Sequence, residues 1–303
     1  MAGPAFRGAP VRVRVPATSA NLGPGFDALG LALGLWDDVV VQVTDAGLQV
    51  DVAGEGAETV RRDKRNLVVH ALFAAFDAMG GRPRGMHVVC ANRIPHSRGL
   101  GSSAAAIVAG ICAARALVVG GAERLDNDAT LRLAARLEGH PDNVAACLLG
   151  GLTVAWQDDG ADSTHALRLE PAEGLDPVVY IPTTTASTAK VRALLPAEVP
   201  HQDAALNAGR SALLVTALTA RPDLLLPATE DRLHQSYRAS AMPRTAGLIE
   251  KLRSGGRPAV VSGAGPAVLL FGDGAEPPAA PRGFVAHRLP VDREGARVLP
   301  IGE

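Results

Sequence analysis

Apolar and charged residues alternate from position 11 to 15 as Val-Arg-Val-Arg-Val, the period-two pattern of a strand with one buried face. Residues 39–43 and 48–52 carry similar short apolar runs and are expected to be strands that pair with each other. The pattern then changes. Residues 66–79 place Leu67, Val68, Ala71, Leu72, Ala75 and Phe76 at helical spacing, and Gly80-Gly81 ends the run. A strand over 86–91 leads into a loop over 92–103. Residues 104–119 follow with alanine and branched residues on nearly every face, which predicts a buried helix. A further helix is predicted over 131–138 and broken by 139–141, with an apolar run over 144–149. Strands are predicted over 152–156, 177–181, 259–262 and 267–271, and helices over 204–220 and 245–252. The proline-rich end, 277–303, is expected to add an edge strand.

The elements mix without a regular strand–helix alternation, so the class is α+β. Alternation near the start points to antiparallel pairing with one sheet face under helices. With 303 residues the chain has room for two lobes. The polar stretch 157–176 marks the expected boundary. It separates a first domain over 11–165 from a second over 166–303, behind a disordered extension at 1–10.

Composition narrows the function. Hydrophobic residues at 47% and charged residues at 20% describe a packed globular chain. A formal net charge of −1 lacks the basic excess a general nucleic-acid binder needs, so any anion site must be local. Cys90, Cys112 and Cys147 are sparse, odd in number and without a CxxC pair. They suggest neither a disulfide framework nor a zinc site, and a reducing cytoplasm fits them. No stretch has the length and apolarity of a membrane span or of a signal-peptide core.

The most informative segment is IPHSRGLGSSAAA, residues 94–106, between a strand and a buried helix. Gly99 and Gly101 let backbone N–H groups turn inward. Ser102 and Ser103 fall on the first helical turn, where amides are unpaired and the helix dipole favours phosphate. A serine-capped turn is the plainer reading of two glycines and a serine. Neither a GxxxxGK[ST] loop nor a GxSxG elbow occurs, and none of the 8 histidines lies in a triad context. A second glycine turn, VSGAGPA at 261–267, admits either a tight hairpin or a close backbone approach to a ligand.

These two segments resemble motifs of the GHMP family of small-molecule kinases, over nearly the whole chain after residue 10. VPATSANLGPGFDALG (15–30), LEGHPDN (137–143), AKVRALLP (189–196) and DRLHQSYR (231–238) resemble one branch of that family. The resemblance implies a two-lobed GHMP kinase fold with mixed and antiparallel sheets covered by helices and an ATP site at the lobe interface. It implies transfer of the γ-phosphate of ATP, with Mg²⁺, to the side-chain hydroxyl of L-homoserine on the route to threonine. Mevalonate or shikimate as acceptor, or a catalytically silent nucleotide-binding protein, are the alternatives. A cytoplasmic homodimer without nucleic-acid or membrane partners is the implied setting.

By the same resemblance, ATP is held by Asn66, Pro95, His96, Ser97, Arg98, Gly99, Leu100, Gly101, Ser102, Ser103, Ala104, Ala105, Gly263, Ala264 and Gly265. Asn21, Asp27, His140, Asn143, Arg192 and Arg238 bind the acceptor, with Asp27 on its ammonium and the two arginines on its carboxylate. Ser103 and Glu138 hold the metal, although the residues themselves leave Ser102 and Ser103 equally open. Asn143, Glu138 and Ser103 form the catalytic set, and the resemblance implies no strong dedicated base. Position 267 is Ala where such third motifs often carry a hydroxyl.

Overall fold

The computed structural model describes residues 3–158, 163–185 and 188–301. In chain order the first elements are β1 (Val11–Ala20), β2 (Leu29–Thr44), β3 (Gly47–Gly54), α1 (Leu67–Ala78), β4 (Gly85–Asn92) and α2 (Ser102–Leu117). Next come α3 (Gly121–Arg124), α4 (Asn127–Glu138), α5 (Asp142–Leu149), β5 (Leu152–Gln157), β6 (Thr164–Leu169) and β7 (Asp176–Pro182). The remainder is α6 (Thr188–Arg192), α7 (His201–Thr219), α8 (Leu225–Ala228), α9 (Gln235–Arg238), α10 (Pro243–Ser254), β8 (Ala259–Val261), β9 (Val268–Gly272), β10 (Phe284–Arg288) and β11 (Arg297–Leu299).

Strands β11, β1, β2, β4 and β3 lie side by side in that order, and β5 and β6 extend the same sheet from β2. The alternation at 11–15 is met: Val13 and Val15 are fully buried. Arg12 and Arg14 face the other way and both pair with Asp38. β1 and β2 run antiparallel, with Val13 opposite Val39. The expected pairing of 39–43 with 48–52 is not found. β4 lies between them, antiparallel to β2 and parallel to β3. The connection at 45–46 crosses the start of β4 so closely that a Cβ on Gly85 would sit 2.3 Å from the Ala46 carbonyl carbon. This crossing carries the chain past β4 to the sheet edge.

A second sheet, β10-β7-β9-β8, is antiparallel throughout. One core runs through both: Val13, Leu72 and Ile107 belong to the same buried cluster as Leu214, Val260 and Leu269. α2 crosses this core with residues buried on all its faces. The first sheet runs past the boundary expected at 165, because β6 pairs with β5, and β11 returns from the C-terminal end to pair with β1. The extension expected to be disordered is, over its described residues, a strap on α1 and α2. Phe6 meets Phe76 edge to face with centroids 5.5 Å apart, and the Arg7 amide donates to the Leu117 carbonyl. An apolar ring with an aromatic partner is reason enough for this order. Among the described residues no helix is long and apolar enough to cross a membrane.

Candidate active site

The loop between β4 and α2 is clamped at its start. Asp37, buried on β2, accepts the amides of Arg93 at 2.5 Å and Ile94 at 2.9 Å, and burial raises its carboxyl above the ordinary value. Further on, Gly101 has φ of 68° and is the N-cap of α2. A Cβ there would sit 1.9 Å from Thr18 Oγ1, and one on Gly99 would sit 2.2 Å from the Ser262 carbonyl oxygen. The loop is therefore pressed between β1 and the 262–265 turn. No side chain caps α2. The serine-capped reading of this segment fails on that point, and the first amides of a buried helix are left facing a cavity, which is the arrangement that binds phosphate.

That cavity measures ≈ 150 Å³. It gathers Ser97, Gly99, Leu100, Gly101, Ser102 and Ser103 from the loop with Asn21, Asp27, Glu138, His140, Asn143, Arg192, Arg238, Gly263 and Ala264. A second cavity of ≈ 250 Å³ meets it at Ser97, Ser102 and Ser103. Its walls include Val39, Val60, Leu67, Val68 and Cys90, with Asn66, His96 and Ala105 also among them. Asn66 caps α1, accepting from Val68 N at 2.9 Å and donating to the Arg61 carbonyl at 2.8 Å. It is both a plain N-cap and a cavity wall. Pro95, Arg98, Ala104 and Gly265 line neither cavity. Arg98 instead donates to the carbonyls of Pro182, His96 and Thr183, latching the loop to the end of β7.

Opposite the loop the chemistry is all side chain. Ser103 Oγ donates to Glu138 Oε2 at 2.6 Å, and burial raises the Glu138 carboxyl. Thr18, fully buried on β1, donates to Asn143 Oδ1 at 2.8 Å. Asp142 accepts from Asn143 N at 2.7 Å and from its Nδ2 at 3.3 Å, which fixes which way the amide points. Asp142 is itself buried, and burial raises its carboxyl. His140 Nδ1, 3.7 Å from Asp142 Oδ1, is buried without a hydrogen-bond partner.

Asp27 and Arg192 form a two-pronged ion pair across the cavity, Nη1–Oδ1 3.1 Å with Nη2 on Oδ2. Asn21 bridges two loops, donating to the Gly263 carbonyl at 2.9 Å and accepting the Asp27 amide at 2.9 Å. Arg238 is 1% exposed, yet its Nε has no partner. Its Nη1 lies 3.2 Å from His234 Nδ1, and His234 Nε2 lies 2.9 Å from the Gly23 carbonyl. Burial lowers the His234 pKa. The neutral ring then donates from Nε2 to that carbonyl and accepts from Arg238 at Nδ1. Burial, with Arg192 nearby, also lowers Arg238. Phe26 stacks on His234 and lies under both guanidinium groups, at 5.5 Å from Arg192 and 5.4 Å from Arg238. Thr18, Phe26, Asp142 and His234 were not singled out from the sequence. Each lies inside a string that was, so only their long-range partners were hidden.

Residues 66–151 match the family described as GHMP kinases N terminal domain. The chain is 62% identical to a homoserine kinase of Streptomyces avermitilis, with 99% of each chain covered. It is 53% identical to a homoserine kinase of Clavibacter michiganensis, covering 97% of this chain and 95% of that one. Among solved structures it is similar to a homoserine kinase of Cytophaga hutchinsonii, with TM-score 0.80, 22% identity, and coverage of 99% of this chain and 100% of the other. At that identity the likeness shows the fold.

Proposed function

The chain belongs to the homoserine kinases of the GHMP family, and from that premise we propose how its two cavities divide the work of moving the ATP γ-phosphate to the side-chain hydroxyl of L-homoserine. The activity itself follows from the relationship: it is an ATP-dependent kinase forming O-phospho-L-homoserine for threonine biosynthesis. The ≈ 250 Å³ cavity takes the adenosine against its apolar walls. The phosphates lie on the open amides at the start of α2, between Gly99 and Ser103, in line with the junction of the two cavities. The acceptor lies in the ≈ 150 Å³ cavity.

The observation that carries this reading is the Asp27–Arg192 pair with the unsatisfied Arg238 beside it. Homoserine carries an ammonium and a carboxylate on one carbon. It exchanges one internal ion pair for two external ones: ammonium on Asp27, carboxylate on Arg192 and on the free Nε edge of Arg238. Mevalonate and shikimate have no ammonium for Asp27. Asn143, its amide oriented by Thr18 and Asp142, presents Nδ2 to the reacting hydroxyl. Every carboxylate lining this cavity is engaged: Asp27 by Arg192, Asp142 by Asn143 and Glu138 by Ser103. That supports transfer without a dedicated base, in which alignment and charge neutralisation do most of the work.

Mg²⁺ fits Ser103 and Glu138. Both offer hard oxygen donors beside the phosphate loop. Among the described residues no group of three or more metal-ligating side chains occurs. One carboxylate and one hydroxyl suffice for an ion that keeps waters and shares substrate phosphates. When bound it would neutralise charge on those phosphates. The three free cysteines are compatible with a cytoplasmic enzyme. A homodimer is the quaternary state proposed by resemblance, to be read from light scattering. The central test is ADP release with L-homoserine, mevalonate and shikimate in parallel. Turnover confined to homoserine supports the acceptor assignment, and equal turnover of mevalonate removes the role given to Asp27.

A further inference from the structure

Among the described residues four buried side-chain polar atoms lack a hydrogen-bond partner: Arg238 Nε, His140 Nδ1, Arg115 Nε and Thr130 Oγ1. The first two line the acceptor cavity, where the carboxylate assigned to Arg238 accounts for the first. Arg115 lines a different cavity of ≈ 550 Å³, at the far end of α2. An unpaired buried charged donor is costly and calls for a ligand or a neighbour.

This third cavity lies under the N-terminal strap, between α2, α3, α5 and β11. Arg7, Arg115 and Arg297 are among its lining residues; Arg297 sits opposite Arg14 in the sheet, and its guanidinium lies over Trp36. Arg297 is held by Asp292 and Glu294. Arg7 and Arg115 form no side-chain hydrogen bond or ion pair among the described residues, although the Arg7 backbone is anchored to the Leu117 carbonyl. Glu123 is the one carboxylate in the lining, against Arg7 and Arg115. The remaining wall is largely apolar, with Val118, Leu148 and Leu149 among it. Ser102 and Arg115 are 13 positions apart on one helix, about 20 Å at 1.5 Å per residue, so no homoserine or ATP molecule in the active site reaches this cavity.

We propose that this cavity is a binding site for a small oxyanion, carboxylate or phosphate, held by the Nε–Nη edge of Arg115 and covered by Arg7. The same physical signature, a guanidinium with an unsatisfied Nε on a cavity wall, marks the carboxylate position at Arg238. A planar fork matches either oxyanion in two parallel hydrogen bonds. The apolar lining leaves room for a carbon body behind the charged head.

The test uses the full chain saturated with Mg²⁺, a non-hydrolysable ATP analogue and L-homoserine, so that the active site is filled. Inorganic phosphate and succinate are titrated separately by calorimetry. Saturable binding of one or both is expected, weakened at least tenfold in Arg115→Gln and in Arg7→Gln. Arg7 is exposed, so its variant folds even if the first does not, and both retain basal turnover. Arg115→Lys, which keeps the charge and loses the fork, weakens binding severalfold. Which anion binds assigns the ligand class. No saturable binding of either anion, or binding equal in both Gln variants and the parent, overturns the site.

Discussion

The nucleotide side and the acceptor side of this active site are built in opposite ways. The proposed phosphate loop is one contiguous segment whose assigned working groups are backbone amides, and side chains hold it in place, as Arg98 does on the Pro182 carbonyl. The acceptor cavity draws its groups from four distant segments: Asn21 and Asp27, Glu138 to Asn143, Arg192, and Arg238. Asp27 and Arg192 neutralise each other there, and on the proposed reading a zwitterion takes their place. The difference teaches where each half is vulnerable. Backbone binding fails when the backbone cannot keep its shape, whereas side-chain binding fails one charge at a time.

The sharpest break is Gly101→Ala. The new Cβ would meet Thr18 Oγ1 at 1.9 Å, and φ of 68° is unfavourable for any residue with a Cβ. Thr18 cannot retreat without releasing Asn143, so the damage reaches both halves. Turnover should fall by roughly 10³-fold or more, as loss of oriented phosphate donors does. ATP-analogue binding should weaken with it. Retained nucleotide affinity in a titration would mean that the loop amides are not the phosphate cradle. Arg238→Met keeps the volume against Phe26 but deletes the buried charge. Here kcat/KM for homoserine should drop about 10²–10³-fold, the usual cost of breaking a buried charged contact. Nucleotide affinity should stay unchanged, which separates the two halves cleanly.

The same contrast decides what could be read from the amino acids. The proposed phosphate loop could be singled out because its signal is local: glycine spacing, a strand before it and a buried helix after it are all in one string. The structure adds that no side chain caps α2, which supports the proposed phosphate site over an ordinary capped turn. The proposed acceptor residues rest on family resemblance, since nothing in the spacing of Asp27 and Arg192 announces a pair 165 positions apart. The Thr18–Asn143 bond and the His234 support of Arg238 were not legible, because each joins side chains brought together by the fold. For the fold, period-two alternation located β1 and helical spacing located α1. Alternation says which face is buried and not which strand is the neighbour, so β4 between β2 and β3 went unseen. Phe6 was missed for a related reason: one aromatic in a proline- and glycine-rich start looks unstructured until Phe76 is placed beside it.

A smaller effect probes the seam between the halves. Asn143→Ala removes the amide that Thr18 and Asp142 orient, without touching the loop backbone. Turnover should fall roughly 10²-fold, the range for loss of one oriented donor. The dissociation constant for the ATP analogue should change little. Equal losses in steady-state kinetics and nucleotide titration would transfer Asn143 from the acceptor to the nucleotide side. Thr18→Val tests the orientation itself, and a loss of about tenfold in kcat fits one hydrogen bond of ordinary strength.

The smallest effect concerns Glu138, which belongs to both halves. Burial raises its carboxyl above the ordinary 4.5, while Ser103 and His140 partly oppose the shift. A raised acid stabilises the folded chain fully below its unfolded pKa, and that contribution is lost as pH rises through the folded value. In metal-free protein the carboxylate is therefore an unfavourable group at neutral pH, and Glu138→Gln should melt higher than the parent there. The gap should close as the medium is acidified. Mg²⁺ reverses the order, because a divalent cation favours the ionised form and competes with the proton. The apparent Mg²⁺ requirement of the parent should thus rise severalfold as pH falls toward the raised carboxyl. Asp142 is raised by burial as well and lies close by. Comparison with Glu138→Gln isolates the contribution of Glu138. A Mg²⁺ requirement that is flat with pH in the parent would place the metal on other oxygens and leave Glu138 as a partner of Ser103 alone.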